Sequence, residues 1–128
     1  MHRIFFALAA AVALASGGAQ AKSGYSLEDF ELRTGQDLLD MCTLDPNHPD
    51  YPVAHAYCVG FIEGAGQLHD ALAAGPNFDR LVCNPKNVTL DDVVTVYASY
   101  AAANPQYMKE SAIDSLVRAA AAKWPCPK

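Results

Sequence analysis

The sequence predicts an all-α fold, a compact four-helix domain held by two disulfides and preceded by a cleaved signal peptide. Three observations carry that expectation. Apolar residues recur at steps of three and four rather than in strict alternation, which is the period of a helix and not of a strand. Two of those runs follow a helix-start signal, Thr34-x-x-Asp37 and Thr89-x-x-Asp92, in which a hydroxyl and a carboxylate serve the first backbone N–H groups. Finally, the four cysteines, Cys42, Cys58, Cys83 and Cys126, are even in number and all follow the leader.

The leader is residues 1–21. Arg3 precedes the apolar run Ile4–Ala15, and the small-residue pattern Ala19-Gln20-Ala21 closes it. That arrangement describes a secretory signal peptide cleaved after Ala21. The run is too short to span a bilayer, which takes about 20 residues. The domain then occupies residues 22–128, near the common domain size of about 100–150 residues. The net charge of −5 and the absence of any long basic run exclude the electrostatic footprint of a nucleic-acid binder. They also exclude the cationic face that draws proteins to anionic lipid. With 52% hydrophobic residues the chain is too apolar for disorder, and no membrane span is expected after cleavage.

Export to an oxidising compartment implies disulfides. Three connectivities are open. The order of elements favours Cys42–Cys58 and Cys83–Cys126, because Cys42 ends one predicted helix as Cys58 begins the next, while Cys83 and Cys126 flank the last two. The chain-entropy model gives about 3 kcal/mol for the shorter loop and about 4 kcal/mol for the longer. No C-x-x-C redox motif is present. His55 and Cys58 share a helical face and form one edge of a metal site, but no second ligand pair completes it. No metal is expected.

Along the domain, Lys22–Arg33 has no clean period and reads as an irregular arm, with Tyr25, Leu27 and Phe30 tucked against the body. The first helix starts at Thr34 and ends at Cys42. Thr43–Pro52 holds three prolines and reads as a surface loop, either a contact loop or a solvated connector. The second helix runs from about Val53 to Ala74, with Tyr57, Phe61, Ala65, Leu68 and Leu72 as its buried stripe. Gly60 and Gly64 lie on a neighbouring face. Two helical glycines at about 1 kcal/mol each point to close packing inside the chain or, alternatively, to a homodimer contact. Gly75-Pro76 ends that helix. A connector over Asn77–Asn87 leads to a third helix capped by Thr89, with Val93, Val94, Val96, Tyr97, Tyr100 and Ala101 on its apolar side. Asn87-Val88-Thr89 is formally a glycosylation sequon, but the capping role of Thr89 is the better reading. Asn104-Pro105 breaks the pattern. A fourth helix spans about Gln106 to Lys123, with Tyr107, Ala112, Ile113, Leu116, Val117 and Ala120 inward, and Trp124-Pro125-Cys126 closes it.

Catalytic signatures are missing: the chain has no G-x-S-x-G, H-E-x-x-H, P-loop or dinucleotide fingerprint. His69 and Asp70 are adjacent on a helix and point in different directions. His55 and Glu63 are two turns apart. Asp37, Asp40, Asp91 and Asp92 read as helix-start complements and solvated faces. The expectation is a binding protein without enzymatic activity or cofactor, and its acidity suits a basic partner.

The ordered set Thr34-Gly35-Gln36-Asp37-Leu38-Leu39-Asp40-Met41-Cys42, Cys58-Val59-Gly60-Phe61-Ile62-Glu63-Gly64, Cys83-Asn84-Pro85, Val88-Thr89, Tyr100 with Asn104-Pro105, and Trp124-Pro125-Cys126 resembles the Rap1a/Tai family of periplasmic immunity proteins. The resemblance implies a small, helical, disulfide-bonded protein, often dimeric. It also implies a partner: a peptidoglycan amidase effector of a type VI secretion system, whose active site the protein blocks without catalysis. The contact candidates are Asp45, His48, Asp50 and Tyr51 in the first loop and Asp79 and Arg80 in the second. The alternative is a periplasmic acid-stress chaperone that binds unfolded clients through apolar surface.

Overall fold

The computed structural model describes residues 25–83 and 86–128; the leader lies outside the described residues. Four α-helices follow one another: α1 (Gly35–Cys42), α2 (Tyr51–Ala73), α3 (Leu90–Ala103) and α4 (Ala112–Lys123). Short 3₁₀ turns at Leu27–Glu31 and Pro105–Lys109 precede α1 and α4. The described residues contain no β-strand, only isolated bridges at Thr34–Ser111 and Val82–Pro125. The fold is all-α.

The predicted caps form. The Thr34 Oγ1 accepts from the Asp37 N–H while the Asp37 carboxylate accepts from the Thr34 N–H. Thr89 and Asp92 repeat the arrangement at α3. Thr89 is therefore occupied as a cap, and each such cap contributes about 1 kcal/mol.

The short α1 sits centrally and packs on α2, α3 and α4. Its Leu38 and Met41 are fully buried against Cys58, Tyr97, Met108, Leu116 and Ala119. The Tyr97 hydroxyl donates to the Gly35 carbonyl at 2.7 Å and shares a hydrogen bond with the Ser115 hydroxyl at 2.8 Å, which joins α3, α1 and α4 at one buried point. A Cβ on Gly35 would stand 2.6 Å from Ser115 Oγ, so this position admits no side chain without displacing α4.

The cysteines pair in sequential order, Cys42–Cys58 and Cys83–Cys126, with Cα separations of 5.1 and 4.9 Å. The first pairing corrects the expected stripe of α2. Because Cys58 is tied to α1, the buried side of α2 is Ala54, Cys58 and Ile62. Tyr57, Leu68 and Leu72 are turned outward and are 48%, 59% and 46% exposed. Phe61 and Ala65, at the border, are half-buried.

Three further expectations change. The arm contains a 3₁₀ turn in which Tyr25 and Phe30 pack on the body while Leu27 is exposed. The fourth helix is split, because the chain at Glu110–Ala112 bonds to Arg33–Gly35 instead of continuing the helix. Gly35 N–H donates to Glu110 O, and Ala112 N–H donates to Arg33 O. Ser111 then restarts the helix by capping Asp114, and Ile113 faces solvent. Lastly, Asp40 is buried rather than solvated, with its Oδ1 accepting from Gln36 Nε2 at 2.7 Å.

Candidate binding surfaces

The first connector, Thr43–Asp50, is shaped by its own polar residues. Asp45 Oδ1 accepts from the Asn47 N–H and from Asn47 Nδ2, at 2.8 and 3.0 Å. These bonds, the backbone N–H foremost, hold the Asp45 carboxyl below its ordinary range. His48 N–H donates to Asp45 O, and Tyr51 N–H to His48 O, at 2.8 and 3.0 Å. His48 Nδ1 in turn accepts the Asp50 N–H at 3.2 Å. From the arm, Tyr25 sets its ring edge on His48 and shares a hydrogen bond with Asp50 that raises the phenol's pKa. Tyr51 stacks on His55, ring centroids 5.3 Å apart, and is half-buried. The loop therefore offers Asp45 and Asp50 to solvent, while Tyr51 serves the packing and His48 the turn.

The second connector is tied down by α2. Arg80 bonds Asp70 at 2.5 Å, which lowers the Asp70 pKa. His69 Nε2 accepts the N–H groups of Leu81 and Val82 at 3.1 and 3.4 Å, and the ring meets the edge of Phe78. Adjacent on the helix, His69 and Asp70 nonetheless act on one neighbouring strip of chain, which their adjacency alone did not reveal. Arg80 is engaged within the fold, and Asp79 beside it is exposed. Cys83 N–H to Trp124 O, at 2.9 Å, and the Cys83–Cys126 disulfide fasten the far end.

The two candidate sets are not brought together. Asp45, His48, Asp50 and Tyr51 sit at the start of α2, while Asp79 and Arg80 follow its end in sequence and Arg80 folds back onto Asp70. The helix between Tyr51 and Asp70 separates the two sets by about 29 Å.

Between these ends the outward face of α2 is uncharged. Val53, Ala56, Tyr57, Gly60, Gly64, Gln67, Leu68 and Ala71 are all exposed on it, with Glu63 and Asp70 displaced to one flank. A Cβ added to Gly60 or Gly64 would meet nothing within 4 Å. The expectation that another helix of this chain packs on those glycines is therefore incorrect: the Cys42–Cys58 bond turns them away from the core.

Among the described residues no group of three or more His, Cys, Asp or Glu side chains is placed to hold a metal ion. His55 stands 3.7 Å from Asp91 of α3, and Cys58 is closed in its disulfide. No helix among the described residues is long and apolar enough to cross a membrane.

Ordered polar loops and an uncharged helix face are carried on a helical frame fastened by two disulfides. The family model described as Rap1a immunity proteins matches residues 34–126, the stretch from the cap of α1 to the last cysteine, and the chain belongs to that family. Family membership points to an immunity protein directed at a secreted protein effector. No curated protein and no solved structure matches the chain.

Proposed function

We propose that this protein is a periplasmic immunity protein that binds and occludes a peptidoglycan amidase effector delivered by a type VI secretion system. The observation that carries the reading is the family match over residues 34–126. The amidase as target comes from the sequence resemblance. The leader at residues 1–21 and the two disulfides support the periplasm as compartment, with residues 22–128 as the working domain.

The first connector suits occlusion. A loop already held in shape by internal hydrogen bonds loses little freedom on entering a cleft, so more of its contact energy is retained in binding. Its exposed Asp45 and Asp50 offer carboxylates to a basic rim, and Asp79 offers another at the opposite end of the molecule.

The outward face of α2 supports a homodimer. Gly60 and Gly64 flank the middle of the helix. A two-fold axis there would let the two helices approach closely and set Val53 and Tyr57 of one copy against Leu68 and Leu72 of the other. Large contiguous patches of exposed apolar surface are characteristic of interaction sites.

The deciding experiment is co-expression, in the periplasm of a sensitive host, of this protein and the amidase encoded by the adjacent gene. Survival with it, lysis without it and a joint peak on gel filtration are expected. Lysis in both cultures with no complex would overturn the reading. Suppression of client aggregation at acid pH, without amidase binding, would favour the chaperone alternative instead.

A further inference from the structure

The helices differ greatly in length, and the difference opens a groove. α1 has 8 residues against the 23 of α2, and every buried residue of α2 lies in its first half. Beyond Ile62 no residue of α2 is fully buried. α4 packs on α1 and α3 rather than on α2. The space left between the second half of α2, the start of α3 and the end of α4 is a cavity of about 270 Å³.

Its walls differ in character. Ile62, Val93, Leu116, Val117 and Trp124 give an apolar floor from three helices. The ionisable groups are all on the α2 side: Glu63, His69 and Asp70. Asp70 is matched by Arg80, and His69 holds the connector through Nε2. Glu63 is exposed and accepts a hydrogen bond from the neutral Gln67 amide. No lysine or arginine lines the cavity. An apolar floor under a carboxylate, in a chain of net charge −5, complements a side chain with an apolar body beside a cationic head.

We propose that this groove is a docking site for a basic segment of the partner protein, which seats an apolar anchor on the floor and a lysine or arginine against Glu63. The inference rests on the immunity reading above and assigns it a second contact, separate from the first connector. Anchors of this kind carry much of the binding energy in protein interfaces because the pocket excludes water around them.

Two substitutions test the groove without touching the core. Gly66→Phe fills it from α2, where an added Cβ meets nothing within 4 Å, and replacing a helical glycine does not weaken the helix. Glu63→Lys reverses the charge at an exposed position. Each is expected to weaken binding of the adjacent-gene amidase by at least about tenfold, with thermal unfolding of the free protein at or above the parent's. Trp124 is the only tryptophan, so protein grown with fluorotryptophan carries one fluorine resonance at the groove. That resonance is expected to shift when unlabelled amidase is added. Parent and variants binding equally, with the resonance unmoved, would overturn the groove and leave the immunity reading standing. A parent that binds no amidase would overturn both.

Discussion

The Tyr97 hydroxyl and the Gly35 carbonyl, 62 positions apart in the chain, meet at 2.7 Å in the interior. The contact places α3 on the first turn of α1, and Ser115 brings α4 to the same point. Tyr97→Phe keeps the ring and deprives both partners. A loss of about 1–3 kcal/mol is expected in urea unfolding, since no water replaces the hydroxyl at a site with 0% exposure.

The same phenol makes the fold sensitive to alkali. Burial, the largest cause, pushes the Tyr97 pKa up to about 12, against about 10 for a free tyrosine. A group whose pKa is raised on folding contributes in full below its unfolded value and loses that contribution as pH climbs through the folded one. Between about pH 10 and 12 the parent should lose up to about 3 kcal/mol of stability that the Tyr97→Phe variant does not. Urea titrations of both proteins across that window measure the difference.

Gly35 is the position least open to change. Its added Cβ would meet Ser115 Oγ at 2.6 Å, Ser115 Cβ at 2.8 Å and the Met108 backbone at 3.2 Å. Gly35→Ala should destabilise by about 1–3 kcal/mol, the range for overpacking, although alanine is ordinarily the better helix former. Gly60→Ala provides the contrast: with open space around it, the free monomer should gain about 1 kcal/mol. Thermal unfolding at a concentration below dimer formation compares the two.

The second connector should loosen in acid. Asp70 has a lowered pKa, chiefly through its hydrogen bond with Arg80, so the contribution of the pair is present above the usual carboxylate range. It is lost as pH falls through the depressed value. Asp70→Asn should imitate that loss at neutral pH. Faster hydrogen exchange at the Leu81 and Val82 amides, with the rest of the chain unchanged, is the expected signature.

The outward face of α2 gives a prediction about assembly. Leu68→Glu replaces an exposed apolar side chain and should leave monomer stability within about 0.5 kcal/mol, while Tyr57→Glu also gives up the ring's edge contact with Phe30 at 4.7 Å, worth about 0.5–1.5 kcal/mol. If two copies meet through this face, sedimentation should show the parent as a dimer and both variants as monomers. A monomeric parent at high concentration would remove that contact.

Local signals in the sequence translated well because they act over a few residues. Thr34 with Asp37 and Thr89 with Asp92 fix helix starts wherever they occur, and Gly75-Pro76 stops α2 for backbone reasons alone. The rotation of α2 did not translate, because two apolar stripes compete on it. Tyr57, Leu68 and Leu72 carry more hydrophobic surface than Ala54, Cys58 and Ile62, yet the bond to Cys42 selects the smaller set. The break at Glu110–Ser111 depends on pairing with Arg33–Gly35 far away in sequence. His69 was hidden for a related reason, since its partners Leu81 and Val82 offer backbone groups with no residue signature. Of the contact candidates, the sequence identified exposed carboxylates correctly as surface groups but gave no sign that Arg80 is already engaged.

The disparity between α1 and α2 makes the long helix a beam clamped at one end. Cys58, beside the clamp, cannot be exchanged without releasing the frame. Residues from Glu63 to Ala73 stand on the overhang, where none is buried. Apart from Ala65, which packs on the core, and His69 and Asp70, which hold the second connector, positions there can change what the molecule presents while the interior stays as it was. Recognition and folding thus fall largely to different positions of one helix.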